Sequence, residues 1–224
     1  MPILPTYLAK DDTYVLPSFL PVLDVPAPGF EKLMVNSYLI KAKEPLLIDA
    51  GMPIGRVDTR NPGDTFTDGD REFTIRRPPL FDSPVTSAYF DTKTKVLFCA
   101  DSFGAIIPDV AELATDVPDS AFYEDFSIFN RLNHPWFALV DQSKFEATVE
   151  SIRRLEPDII AGCHAPLAKG PRVEAHLQAM ANLPAQGRWT CRIGQHWTGS
   201  LPRYREVATV TESVHMSYEI GDRR

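Results

Sequence analysis

Three segments of the sequence end an apolar run with a polar side chain that could take part in catalysis or metal binding. Residues 47–49 read Leu-Ile-Asp, residues 97–101 read Leu-Phe-Cys-Ala-Asp, and residues 159–164 read Ile-Ile-Ala-Gly-Cys-His. A carboxylate at the end of an apolar strand is costly if it is buried alone, so a metal ion, hydrogen bonds or solvent must compensate it. Asp101 and His164 are therefore candidate metal ligands, although zinc usually takes three or four ligands from protein.

Hydrophobic periodicity predicts the strands and helices that would position these side chains. Short apolar runs predict strands at residues 33–40, 46–49, 72–76, 86–90, 96–100 and 158–162. The spacing of apolar residues predicts helices at residues 108–114, 142–155 and 171–183. The proline-rich first thirty residues and the segment 51–71 read as loop. Strands followed by helices that alternate with a strand predict an α/β sandwich with its helices on the outside.

The composition is that of an ordinary globular protein. Of the 224 residues, 44% are hydrophobic and 24% are charged, so the chain can bury a core. The net charge of -7 argues against a nucleic-acid partner, and no apolar stretch approaches the ~20 residues that span a bilayer. No signal peptide is recognisable, and three cysteines without a CxxC pair suit a reducing compartment. We therefore expect a cytoplasmic protein that has no nucleic-acid or membrane partner.

Several of these segments together resemble the metallo-β-lactamase-fold superfamily. Residues 36–40 followed by 47–51 look like the opening hairpin of that fold, and residues 63–73 look like its mid-chain strand pair. Residues 96–104 resemble the strand that delivers the family's bridging aspartate, and their ending Asp-Ser-Phe-Gly is closest to the oxygen-reducing flavodiiron-like branch. Residues 159–166 resemble the strand that delivers the family's last histidine.

The resemblance implies an αβ/βα sandwich with a metal pair at one edge of the sheets. It implies a single domain over residues 1–224, with a recognisable core at about 30–184 and a C-terminal extension at 185–224. Asp101 falls at the family's bridging aspartate and His164 at its last histidine, so these two residues are the implied metal ligands. The implied ion is zinc or iron, if the chain binds a metal at all.

The chain also departs from the family pattern at two places. The family carries a His-x-His-x-Asp-His motif soon after its second strand, but no two of the five histidines here lie within four positions of each other. Several dozen residues look absent around residues 54–57, so we expect a sandwich that is truncated in its first half. Phe81 occupies the position of a further family histidine, and Phe cannot bind a metal. The adjacent Asp82 is an auxiliary candidate ligand.

The remaining polar candidates each have a structural interpretation beside the functional one. Asp49 looks like an outer aspartate that orients the missing loop, and it is either a solvent-facing charge, which we favour, or an auxiliary oxygen ligand. His134 is expected to pack or cap rather than to bind a metal, and His176 to lie on the surface. Cys163 could form a nucleophilic pair with His164, but adjacent strand residues point to opposite faces, so we expect a small buried side chain.

Two further sets of residues are also expected to have structural rather than functional roles. Cys99 is expected to be a small buried hydrophobe, and His196 and His215 are expected at the surface. One aromatic group could line a substrate pocket or, as is more usual, pack in the core; it comprises Tyr123, Phe126, Phe129, Trp136 and Phe137.

The functional expectation is a metallo-β-lactamase-like hydrolase-family protein whose metal site is incomplete and whose catalysis is weak or lost. A complete member would use two metals to lower the pKa of a bound water or, in the flavodiiron branch, to reduce dioxygen. The alternative is a non-catalytic binding or oligomerisation module of the same fold. Loss of helices beside a sheet would expose apolar surface that a second copy could cover.

Overall fold

Ten strands form two sheets in the computed structural model, which describes residues 6–9, 12–21, 32–41, 45–49, 61–107 and 110–186. The first sheet has the order β1-β2-β3-β4 and is antiparallel throughout. Its strands are β1 (Thr6–Ala9), β2 (Thr13–Pro21), β3 (Lys32–Ile40) and β4 (Leu46–Ile48).

The second sheet has six strands in the order β10-β9-β8-β7-β6-β5. Every neighbouring pair is antiparallel except β8 and β9, which run parallel. Its strands are β5 (Thr65–Asp68), β6 (Arg71–Arg76), β7 (Ala88–Asp91), β8 (Val96–Phe98), β9 (Ile159–Ala161) and β10 (Ala168–Lys169).

Three α-helices follow the strands β5–β8 in the chain and accompany β9 and β10. They are α1 (Asp119–Asn133), α2 (Gln142–Arg153) and α3 (Pro171–Asn182). Three short 3₁₀ helices lie at Ala114–Asp116, Pro135–Leu139 and Pro184–Gln186. None of the helices in the described part of the chain is long and apolar enough to cross a membrane.

Side chains of the second sheet alternate between two cores, as the pleat of a strand requires. Leu97 and Cys99 lie in the cluster that includes the buried faces of the helices. Val96 and Phe98 lie in the other cluster, between the two sheets. There they pack with residues of both sheets, namely Val15, Tyr38, Ile40, Ile48, Phe73, Ala161 and Leu167.

The aromatic group predicted from the sequence packs in or against the core. Phe126, Phe129 and Phe137 are buried, and Tyr123 and Trp136 are partly buried against the helix-side cluster. These contacts support the core-packing interpretation of the group rather than the pocket interpretation.

Most of the predicted elements are present with shifted ends. The predicted helices at 142–155 and 171–183 are α2 and α3, and Asp141 caps α2 because its Oδ1 accepts from the Lys144 amide at 3.0 Å. The predicted hairpin joins β7 to β8. The helix predicted at 108–114 is wrong for residues 110–113, since a 3₁₀ turn forms only at Ala114–Asp116.

The loop prediction for the first thirty residues is also wrong, because it includes β1 and β2. Pro17 lies within β2 opposite Asn36, whose amide donates to the Cys163 carbonyl on its other side. Pro17 therefore occupies a non-hydrogen-bonded pair, where the missing N–H of proline removes no ladder bond. The loop prediction for 51–71 likewise missed β5 at Thr65–Asp68.

Two calls lie outside the described residues. The junction around residues 54–57, where the family segment looks absent, falls in the undescribed range 50–60, and the C-terminal extension is described only to residue 186. His196, His215 and Cys191 also fall outside the described ranges.

His176 was expected at the surface, and the structure shows this to be wrong. Its side chain is 1% exposed and its ring lies 4.9 Å from that of Phe122 and 5.8 Å from that of Phe126. The Tyr123 hydroxyl lies 3.2 Å from His176 Nδ1. Burial, followed by the charge of Arg172, lowers the pKa of His176 to about 4.

Because burial lowers the pKa of His176, we expect this residue to make the folded protein less stable in mild acid. The unfolded chain takes up a proton at His176 near pH 6.5 and the folded chain only near pH 4, so folding is opposed increasingly as the pH falls through this window. We expect the protonation of His176 in the unfolded chain to lower the free energy of unfolding by about 2 kcal/mol between pH 7 and pH 5. Urea titrations at both pH values, with the wild type and His176→Phe, check this.

The His176→Phe variant is expected to be less stable at pH 7, because the Tyr123 hydroxyl loses its contact with His176 Nδ1, but to show a shallower dependence of stability on pH. An unchanged slope would mean that the ring of His176 is accessible to protons in the folded state.

Candidate metal centre

The parallel pair β8 and β9 positions the candidate site. Because the two strands run in the same direction, their carboxyl ends meet at one edge of the sheet. The chain turns away after β8 through residues 99–104 and after β9 through residues 162–165. The first turn is held by Ser102, whose Oγ donates to the Leu80 carbonyl at 2.8 Å and accepts from the Leu80 amide at 2.9 Å.

Three potential metal ligands meet at this edge. Asp101 Oδ1 lies 3.1 Å from His164 Nε2 and 2.9 Å from Cys163 Sγ. The ligand atoms of the three residues all lie within 4.8 Å of one another. The sequence predicted the pair Asp101 and His164, and the structure brings the two side chains together.

The proximity of Cys163 was missed because of a wrong assumption about its local structure. The prediction treated Cys163 and His164 as neighbours in a strand, which would point to opposite faces. β9 ends at Ala161, so both residues lie in the following turn, and there adjacent side chains can face the same carboxylate. Cys163 is buried, as expected, but it donates its S–H to Asp101.

The ring of His164 has a defined orientation. Its Nδ1 lies 2.8 Å from the Met34 carbonyl oxygen, which can only accept, so Nδ1 carries a proton. Its Nε2 therefore faces the Asp101 carboxylate. A histidine whose second nitrogen donates to a carbonyl is the usual arrangement for a metal-binding imidazole.

The first sheet holds the turn that carries Cys163 and His164. The Tyr38 hydroxyl donates to the Gly162 carbonyl at 2.8 Å, and Asn36 Nδ2 donates to the Ala165 carbonyl at 2.9 Å. The Asn36 amide donates to the Cys163 carbonyl at 2.7 Å. These three bonds are buried or part of the backbone, so the turn is fixed to β3 next to the residues of β3 that pair with β4.

The electrostatics of the cluster favour an ionised aspartate beside a protonated histidine. Burial alone would raise the pKa of Asp101, but hydrogen bonds from His164, Cys163 and Asn133 and the charge of His164 together lower it to about 2. Burial would lower the pKa of His164, but the bonds to Asp101 and the Met34 carbonyl outweigh it and raise the pKa above its ordinary value. Burial, then the carboxylates of Asp101 and Asp49, raise the pKa of the Cys163 thiol.

Asp49 lies close enough to the cluster to interact with it electrostatically. It follows β4 with a backbone φ of 57°, a left-handed conformation that is unusual for a residue other than glycine. Its Oδ2 is buried and has no hydrogen-bond partner in the described part of the chain. Burial and the charge of Asp101 raise its pKa to about 6, opposed by His164. This environment differs from the solvent-facing charge that the sequence favoured.

The other candidates are not members of the group of three ligands, although the charges of Asp101 and His164 act on the pKa of His134. Asp82 is exposed, and its Oδ1 accepts from the Thr86 hydroxyl at 2.9 Å. Phe81 packs against Trp136 with ring centroids 5.1 Å apart. His134 is fully buried, with Nδ1 2.8 Å from the Asn130 carbonyl and with no partner for Nε2 among the described residues.

Asn133 is a further site residue that the sequence interpretation missed. It is the last residue of α1, and its Nδ2 donates to Asp101 Oδ2 at 3.2 Å. The helix itself carried a detectable signal, since Phe122, Phe126 and Phe129 recur at helical spacing and are all buried.

The donor set fits a metal ion. A carboxylate that remains ionised, an imidazole nitrogen directed at it and a thiol are all ligands that zinc accepts. Asp49, whose Oδ2 is buried and has no hydrogen-bond partner among the described residues, interacts with this group through its charge. Asp101, Cys163 and His164 therefore offer an oxygen-, nitrogen- and sulfur-containing site at one edge of the sheet.

Comparison with solved structures identifies the fold. No protein-family model and no curated protein matches the sequence. The flavodiiron protein from Giardia intestinalis matches with a TM-score of 0.66 and 13% identity, over 81% of this chain and 61% of that one. Rubredoxin oxygen:oxidoreductase from Desulfovibrio gigas matches with a TM-score of 0.58 and 13% identity, over 82% and 62% of the two chains.

A shorter solved chain is covered almost completely. A diflavin flavoprotein fragment from Nostoc sp. matches with a TM-score of 0.60 and 16% identity, over 82% of this chain and 95% of the fragment. The chain thus spans about three fifths of the first two proteins, whose N-terminal domain has a metallo-β-lactamase fold. The fold of this chain is accordingly the metallo-β-lactamase fold in the form found in flavodiiron proteins.

The contact between Asp101 and His164 predicts a shifted histidine titration in the metal-free protein. In an Asp101→Asn variant the imidazole loses the charged acceptor that favours its protonated form, while its burial remains. We expect the pKa of His164 to fall from its raised value, as measured by NMR titration of the ring protons. The pKa of His176 serves as the internal control and should not move; an unmoved His164 would contradict the assigned contact.

Proposed function

We propose that this chain is a metallo-β-lactamase-like hydrolase-family protein with a reduced metal site and with weak or lost catalysis. The observation that carries the proposal is the contact of Asp101 Oδ1 with His164 Nε2 at 3.1 Å, with the opposite ring nitrogen held by the Met34 carbonyl. Asp101 and His164 are the proposed metal ligands, and Asp49 is the auxiliary one. Asp82 is a weaker auxiliary candidate because it is exposed and bonded to Thr86.

A zinc or iron ion held here would supply Lewis-acid polarisation of a substrate and a bound water of lowered pKa. Asp101 would contribute the negative charge, and Asn133 would hold its second oxygen in place. His164 would contribute a neutral nitrogen whose direction is fixed by the first sheet. Iron is the metal that the neighbours' printed names carry, since several are flavodiiron proteins.

The expectation of weak catalysis rests on the ligand count. Two-metal catalysis needs two ions a few ångströms apart, each with its own ligands. The sequence has no pair of histidines within four positions of each other. At the position of a further family histidine, Phe81 packs on Trp136 instead.

We infer a single domain over residues 1–224 that resides in the cytoplasm.

The substrate class follows only from the fold. The superfamily's hydrolytic substrates include esters, thioesters, amides and phosphodiesters, and no residue of this cluster selects among them. A small-molecule substrate agrees with the net charge of -7, which disfavours nucleic acid.

Metal content of the purified protein tests this proposal. We expect about one equivalent of zinc or iron in the wild type, and loss of that metal in an Asp101→Ala/His164→Ala double variant, because two ligands are removed. Elemental analysis measures it, and Asp158→Ala, which removes an exposed carboxylate outside the cluster, is the matched control that should retain the metal. We further expect no efficient turnover of ester or phosphodiester substrates in added zinc or iron.

Either of two results would overturn the proposal. A wild-type protein that binds no metal would show that the fold has lost the site altogether. A robust turnover number would show that the catalysis is not impaired.

The alternative function, a non-catalytic binding or oligomerisation module, is supported by exposed apolar side chains. Leu139 is 88% exposed and Val85 is 73% exposed, values that are high for large apolar residues. Leu139 ends the 3₁₀ helix that contains Trp136, and the Trp136 indole donates to the Phe81 carbonyl near Val85. A second copy of the chain could cover these side chains.

Size-exclusion chromatography tests this alternative. We expect the wild type to elute as a homo-oligomer and a Val85→Ser/Leu139→Ser double variant to elute as a monomer, because its apolar contact area is reduced. A Leu47→Ser variant, on the first sheet, is the control. A wild type that is monomeric at all concentrations would count against the oligomerisation function.

A further inference from the structure

The turn after β9 places a thiol in the candidate metal centre. Cys163 Sγ lies 2.9 Å from Asp101 Oδ1, slightly closer than His164 Nε2 at 3.1 Å. The three ligand atoms lie within 4.8 Å of one another, and together they form the one group of three or more candidate metal ligands found among the described residues. Sulfur is a softer ligand than carboxylate oxygen, so its presence changes which metal the site prefers.

The spacing of the three atoms is close to that of a tetrahedral site. Ligands bound to zinc at about 2.0–2.3 Å are separated from each other by about 3.3–3.6 Å. In the metal-free protein the two short contacts are hydrogen bonds to one carboxylate oxygen. Entry of an ion would therefore require the side chains to separate by well under about 1 Å, which rotation about their side-chain bonds allows.

The backbone on both sides of the thiol is already fixed. The Cys163 amide donates to the Ala100 carbonyl at 2.9 Å, and its carbonyl accepts from the Asn36 amide at 2.7 Å. The His164 carbonyl accepts from the Ala105 amide at 3.0 Å. The segment after β8 and strand β3 thus hold the two ligand-bearing residues between them. Little further conformational freedom is therefore lost when an ion binds.

Asp49, which follows β4, is the candidate for a fourth ligand, although it is not one of the three residues whose ligand atoms meet. Its Oδ2 is buried with no hydrogen-bond partner in the described part of the chain, and the charges of Asp101 and His164 both act on its pKa. A buried oxygen without a partner is costly, and a cation is one of the groups that would compensate it. One thiolate, one imidazole and two carboxylates would complete a four-coordinate site.

We propose that the Cys163 thiolate is a ligand of this centre and that the site holds one zinc-type ion rather than an iron pair. The inference rests on the proposed function, because it concerns the identity of the metal at the same site. When the sulfur–metal bond forms, the thiol proton leaves to solvent and no electron is transferred. Thiolate and imidazole ligands together favour zinc, whereas iron in oxygen-rich sites relies on carboxylates and imidazoles.

Cobalt(II) substitution tests the proposal without an activity assay. The full chain is stripped of metal with a chelator and titrated with cobalt chloride, whose tetrahedral thiolate complexes absorb by sulfur-to-metal charge transfer. We expect the charge-transfer band to saturate at one equivalent in the wild type and to be absent in Cys163→Ser. Cys99→Ala is the matched control, because Cys99 donates to the Ser102 carbonyl and is not a member of the cluster.

Zinc affinity gives a second, independent measurement. Competition with a chromophoric chelator should show that Cys163→Ser weakens zinc binding tenfold or more, which is at least the loss seen when an outer partner of a ligand is removed. The thermal transition of the variant without metal confirms that it folds. If it does not fold, Cys99→Ala and Cys191→Ser assign the sulfur by exclusion, since the band should persist in both.

The outcomes separate the two proposals. Cobalt bound at one equivalent without a charge-transfer band, or a band that disappears in Cys191→Ser, would overturn the thiolate assignment and leave the proposed metal site intact. A wild type that binds neither cobalt nor zinc would overturn both.

Discussion

The candidate site depends on buried hydrogen bonds between β3 and the turn that follows β9. The Tyr38 hydroxyl donates to the Gly162 carbonyl, and the Met34 carbonyl accepts from the His164 ring. Asn36 donates to the carbonyls of Cys163 and Ala165. Leaving the buried Tyr38 hydroxyl or the buried Asn36 amide without its partner would cost on the order of 1–3 kcal/mol. The hydrogen bonds between β3 and the turn therefore also set the direction of the His164 ring and place the Cys163 thiol beside Asp101.

The cluster combines features that a purely structural site would not need. A salt bridge between Asp101 and His164 would be satisfied without the thiol, and Asp49 would be better placed in solvent than with a buried, unpartnered oxygen. A cation bound among these groups removes the two difficulties together, since it binds the thiolate and compensates both carboxylates. In the metal-free protein, protons on Cys163 and His164 perform the same neutralising role.

The fold resembles that of flavodiiron proteins, and the candidate ligand group of this chain includes a thiol, Cys163, beside Asp101 and His164. The flavodiiron structures match over about four fifths of this chain at 13% identity, which establishes the shape and not the metal. The turns after β8 and β9 carry Asp101 and His164, while Phe81, which cannot bind a metal, packs on Trp136.

The sequence by itself determined the two strands that precede Asp101 and His164, helices α2 and α3, and the α/β class, because these depend on local periodicity and on end signals such as Asp141. It could not determine that Cys163 and His164 face one carboxylate. That arrangement is possible because β9 ends at Ala161, so that both residues lie in the turn and not in the strand. Nor could it show β2, since the pairing of Pro17 with Asn36 is possible only where β3 directs its amide toward Cys163. Contacts between residues far apart in sequence, which local patterns do not encode, decided the environment of the thiol, of Asp49 and of His176.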